Sequence, residues 1–121
     1  MPDLTDGGVN VRLIDRIYEA KSFFDLQRAA HAIAVEKGWH DGYNPERDFS
    51  YGCMMAVTEI CEAVQAHQKG LDRSAVAEEL ADTVIRLMDT AATLDIDLED
   101  AVRQKMVRNI ARPIRHGGLP Y

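Results

Sequence analysis

Apolar side chains recur every three to four residues along most of this chain, the spacing of helices that bury one side. Phe23, Leu26, Ala30 and Ile33 share a face over 23–37, and Val57, Ile60 and Val64 share one over about 50–69. Val76, Leu80, Val84, Leu87 and Ala91 continue the period to about Leu94, and Ala101, Val102, Met106 and Ile110 mark a last helix. A further helical segment is expected from about Val11 to Ala20, after a loose lead-in over 1–10 that contains Gly7 and Gly8. No alternating run is long enough for a strand, so the pattern predicts an all-α fold.

The punctuation between these segments agrees. Ser22 and Asp25 have capping-box spacing, and Gly38 stops the helix they open. The stretch 39–49 (WHDGYNPERDF) reads as a turn-rich loop, Gly70 stops the next helix, and Asp72 or Ser74 caps the one after it. Asp97 with Asp100 opens the last helix, and Pro113 ends it. Connections as short as 70–73 and 95–97 make consecutive helices antiparallel neighbours, so a four-helix, up-and-down bundle is the expected closure.

Length and charge narrow the function. A chain of 121 residues holds one domain, here 1–121 with a basic tail over 111–121. Its 20 acidic against 14 basic residues give a net charge of −6, which argues against nucleic acid or an anionic membrane as a general partner. No apolar run is long enough to span a bilayer and the first ten residues lack the pattern of a secretory signal, so a cytoplasmic location is expected. Cys53 and Cys61, eight positions apart on one expected helix, stand about 12 Å apart by helical rise, too far for a disulfide.

Two acid pairs stand out by position rather than by frequency. Glu59 and Glu62 (EICE) are three apart on one helix, and Glu79 and Asp82 (ELAD) are three apart on the next. Glu62 precedes Gly70 by eight residues and Glu79 follows Asp72 by seven, so in a hairpin both lie about 10–12 Å from the same turn. The pairs are therefore level, while Ala56, Ala63, Ala66 and Ala75 leave the two helices free to approach. Four such carboxylates must be protonated, solvated or neutralised by a cation, and all-oxygen ligation favours Mg²⁺, with Mn²⁺ as the alternative, over zinc. Solvated helix faces remain the alternative reading of the same residues.

Complementary groups lie elsewhere. Lys105, Arg108, Arg112, Arg115 and His116, with Asn109 among them, concentrate positive charge near the C-terminus, where they suit phosphate oxygens or simply a helix C-terminus. Trp39, the only tryptophan, sits with His40 and Tyr43 in the expected loop, and His31 lies two turns earlier. Such an aromatic can stack on a base or anchor a core.

EICE, ELAD and the pair Lys105 and Asn109 (K-x-x-x-N) together resemble the MazG-like, all-α nucleoside triphosphate pyrophosphohydrolases, whose signature is ExxE…ExxD. The tail RNIARPIRHGG (108–118) further resembles a small single-domain subgroup ending in N-x-x-RPxRHGG. The resemblance, over about 50–118, implies hydrolysis of a nucleoside triphosphate to the monophosphate and pyrophosphate. It implies Mg²⁺ on Glu59, Glu62, Glu79 and Asp82 and phosphate contacts from Lys105, Asn109, Arg112, Arg115 and His116; by position in the cluster, Glu59 or Glu62 can orient or deprotonate a metal-bound water. It also implies a homodimer or homotetramer with the site at the subunit interface.

The His31 and Trp39 region resembles the base-recognising element of the related dCTP pyrophosphatases. Arg86 departs from their pattern, which tends to carry tyrosine there, and Leu119 departs from the lysine expected after the double glycine. Two rivals remain open: a non-catalytic helical module that dimerises or senses a nucleotide, and a phosphoribosyl-ATP pyrophosphohydrolase.

Overall fold

In the computed structural model, which describes residues 8–114, five α-helices follow one another: α1 (Gly8–Glu19), α2 (Phe23–Glu36), α3 (Pro45–Gln68), α4 (Arg73–Thr93) and α5 (Leu98–Ile110). There is no strand among the described residues. Arg115 and His116 lie outside them.

The helix starts are set by side chains that satisfy otherwise unpaired amides. Ser22 Oγ accepts from the Asp25 amide at 3.0 Å, and Asp25 reaches back to accept from the amide of Lys21. Asp72 and Asp97 cap α4 and α5 in the same way, through the amides of Ala75 and Asp100. Two starts differ from expectation: α1 begins at Gly8, inside the expected lead-in, and α3 begins early. Helix α3 begins at Pro45 rather than near Ser50, because Asn44 caps it through the amides of Glu46 and Arg47 while proline fills a position that needs no donor. Half of the expected loop is thus helical.

The helix ends share one device. At Gly38 and Gly70 the residue after the cap has a positive φ, and the next amide donates back to the carbonyl six residues earlier by inclusive count, Trp39 to Ala34 and Leu71 to Ala66. Asp95 does the same at the end of α4, with φ 55° and the Ile96 amide on the Ala91 carbonyl, although it is not a glycine. Aspartate tolerates this left-handed backbone better than most residues.

Helices α3 and α4 pair most extensively, α2 packs on α4, and α1 and α5 both lie against α2. The interior is built mostly from alanines, Ala29, Ala30 and Ala34 on α2, Ala56, Ala63 and Ala66 on α3 and Ala91 on α4, with Met88 the larger exception. That corrects the expected core. Val57, Ile60, Val64, Leu80, Val84 and Leu87, which share the apolar period, are between 40% and 52% exposed in the single chain. The alanines let the backbones of α3 and α4 approach, which turns the larger side chains outward along the flanks of the seam. At Gly52 the approach is close enough that a Cβ would lie 2.5 Å from Thr90 Oγ1. Helix α5 buries none of its residues.

Among the described residues, Gln27 is the largest fully buried side chain, at 2% exposure. Its Nε2 donates to the Ile96 carbonyl at 2.6 Å and its Oε1 accepts from the Leu98 amide at 3.1 Å, fastening the start of α5 to α2. Gln27→Ala strands both backbone groups and leaves a void, so an unfolding free energy lower by about 2–4 kcal/mol is expected in urea titrations. A loss under about 0.5 kcal/mol would show that water replaces the side chain without penalty.

Candidate metal centre and adjoining cleft

The level acid pairs meet across the α3–α4 seam. Carboxylate oxygens of Glu59, Glu79 and Asp82 all lie within 4.8 Å of one another. Glu62 stands beside them, close enough to Glu59 and Glu79 for a carboxyl–carboxyl hydrogen bond, which forms only when one partner holds a proton. The reason is the short joint at Gly70, which keeps residues equidistant from the turn at the same height.

The electrostatics follow from crowding. Burial comes first in raising Glu79, followed by its hydrogen bond with Glu62 and the charges of Glu62, Glu59 and Asp82; together they push its pKa up to about 7. Glu59 is also raised, first by burial, then by Glu62 and Asp82, while Arg86 pulls it back. Near neutral pH, Glu79 therefore divides its time between a proton and a negative charge that its neighbours oppose. This donor set, oxygens only and strongly repelling, suits a hard divalent cation.

Arg86, one helical turn beyond Asp82, joins this cluster to a second region. Its Nε lies 3.8 Å from Glu59 Oε1, and its guanidinium carbon sits 5.5 Å from the centroid of the Trp39 ring. Trp39, His40, Tyr43, Tyr51, Arg86 and Asp89 contribute to a cleft of about 510 Å³. Its size and mixed aromatic and charged walls suit a flat heteroaromatic ligand. At its edge Asp89 accepts from His31 Nδ1 and His40 Nε2, each at 2.9 Å.

The expected site residues divide three ways. Glu59, Glu79 and Asp82 converge with Glu62 beside them; Trp39 borders the cleft, and His31 reaches its edge through Asp89. Lys105 and Asn109 are exposed on α5 and form no ion pair or side-chain hydrogen bond with the four acids. Arg112 is exposed just beyond α5, and Arg115 and His116 lie outside the described residues. Sequence reasoning did not single out Asp89. The available signal was its position, seven residues after Asp82 and so on the same face of α4.

No helix among the described residues is long and apolar enough to cross a membrane. No family model, curated protein or solved structure matches this chain.

Proposed function

We propose that the protein is a Mg²⁺-dependent nucleoside triphosphate pyrophosphohydrolase that takes an NTP or dNTP and water to the monophosphate and pyrophosphate. The observation that carries this reading is the convergence of Glu59, Glu79 and Asp82 from two neighbouring helices, where burial and then the neighbouring acids push Glu79 up to about 7. The resemblance of EICE, ELAD and the RPxRHGG tail to MazG-like enzymes supports it.

When bound, Mg²⁺ would screen the triphosphate and lower the pKa of a coordinated water. Glu59, Glu62, Glu79 and Asp82 would hold it, and Glu59 or Glu62 accepts the proton of the attacking water. Trp39 offers its face to a base, and Arg86 lies between that face and the carboxylates, where it can turn toward a phosphate oxygen. Lys105, Asn109, Arg112, Arg115 and His116 supply further phosphate contacts. Because Lys105 and Asn109 do not engage the acids of their own chain, a homodimer or homotetramer completes the site, built on the outward stripe of α3 and α4.

The test is pyrophosphate release from a panel of ribo- and deoxyribonucleoside triphosphates with Mg²⁺, including phosphoribosyl-ATP as a separate arm. Turnover of at least one triphosphate is expected. Turnover of phosphoribosyl-ATP alone would favour the biosynthetic rival, and binding without product from any substrate would favour a nucleotide-sensing module.

A further inference from the structure

The cluster at the edge of the cleft has a different chemistry from the acids. His31 comes from α2, His40 from the turn after it and Asp89 from α4, and one nitrogen from each ring and an oxygen of Asp89 lie within 4.8 Å of one another. Oδ1 of Asp89 is 2.9 Å from both His31 Nδ1 and His40 Nε2. The side chains are 34%, 20% and 16% exposed in that order, so the group is shielded yet reachable.

We propose that His31, His40 and Asp89 bind a divalent transition metal ion, Zn²⁺ or a first-row neighbour such as Co²⁺, at a site separate from the carboxylate cluster. Two imidazoles and one carboxylate form a borderline N₂O donor set, which selects zinc, cobalt, nickel or iron over Mg²⁺. Metal–ligand bonds of about 2.0–2.1 Å place donors about 2.9 Å apart at a right angle and about 3.3 Å apart at the tetrahedral angle, so the observed spacing needs only a small opening. One cation would replace two ring protons that otherwise require one chosen tautomer on each histidine.

A neighbouring observation points to a polar ligand at this corner. Tyr43 packs edge-on against His40, and its phenolic oxygen is buried with no hydrogen-bond partner. Asp89 lies seven residues beyond Asp82, about 10 Å along α4 by helical rise, so the two centres would be distinct. A metal here would tie the segment carrying Trp39 to the helix carrying Arg86, and so brace the cleft. The inference does not depend on the proposed hydrolase reaction.

The experiment is titration of the metal-free, full-length protein with Co²⁺ in excess Mg²⁺, followed by visible absorption and Trp39 fluorescence. One Co²⁺ per chain is expected, with d–d bands unlike those of the aqua ion and quenching of the tryptophan beside His40. Zn²⁺ should displace it and raise the melting temperature. His31→Gln, His40→Gln and Asp89→Asn should each weaken binding at least tenfold, with circular dichroism melts confirming that each is folded. Glu79→Gln, His67→Gln and Cys61→Ser should leave it unchanged. Folded wild-type protein that ignores Co²⁺, or folded histidine variants that keep wild-type affinity, would overturn the proposal and leave Asp89 as a hydrogen-bond acceptor for two histidines.

Discussion

Glu79→Gln is expected to lower Mg²⁺-dependent turnover by about 100-fold or more while making the metal-free protein harder to melt at pH 8. The two effects share one cause. Glu79 has a pKa of about 7 in the folded chain against an ordinary value of 4.5, so folding favours its protonated form. Stability is then lost as pH rises between those values and stays low above them, because the folded state must release a proton that the unfolded chain has already lost. Glutamine removes that charge, and with it a ligand.

Thermal melts give the check. In the metal-free wild type the cluster contributes a fall in melting temperature from about pH 4.5 to about pH 7, and Mg²⁺ should recover more at pH 8 than at pH 5.5. The slope should flatten in Glu79→Gln. Asp48, lowered to about 2 by its hydrogen bonds with Arg47 and the Asn44 amide, and Asp72, lowered chiefly by Ser74, act in a different window: their stabilisation is present above about 3.8 and fades below it. A Glu79→Gln protein with full Mg²⁺-dependent turnover would remove this carboxylate from the metal site, whatever its melting temperature.

If the proposed oligomer forms, Ile60→Glu combined with Leu80→Glu is expected to turn it into monomers, weakening association by more than about 100-fold, with turnover lost alongside. The two side chains lie on the outward stripe of α3 and α4, 46% and 52% exposed in the single chain. Burying the remaining exposed half of such side chains in an interface contributes about 1 kcal/mol each, and a two-fold interface contains every substitution twice. Sedimentation at several concentrations reads the assembly state, and pyrophosphate release reads the site. Wild-type protein sedimenting as a monomer at working concentration would dispose of the interface. Full turnover by a folded, monomeric variant would show that one chain holds a complete site and that Lys105 and Asn109 need no partner.

Much of the architecture was legible in local signals. Ser22, Asp72 and Asp97 act as the caps their spacing suggests, Gly38 and Gly70 stop helices, and level placement of EICE and ELAD brings their acids together. The start of α3 was misread because asparagine followed by proline marks a turn and a helix N-terminus alike; Asp48, accepting from the Asn44 amide, is the residue that favours the helix. The core was misread for a deeper reason. Hydropathy marks residues that favour leaving water, and the stripe from Val57 to Leu87 has that character without being covered within one chain, whereas the alanines that do fill the seam carry little periodic signal. Asp89 escaped notice because its partners, 49 and 58 residues away, meet it only through the packing of α2 on α4.

The three stops at Gly38, Gly70 and Asp95 have a consequence for motion. Each closes its helix, α2, α3 or α4, with paired amide–carbonyl contacts within a few residues, and only residues 69–72 join α3 to α4, so the seam that carries the acids has no long, pliant hinge. Adjustment to an arriving ligand therefore falls to side-chain rotation, above all of Arg86 against Trp39, on the picosecond-to-nanosecond scale of rotamer exchange rather than the microsecond-to-millisecond scale of domain closure.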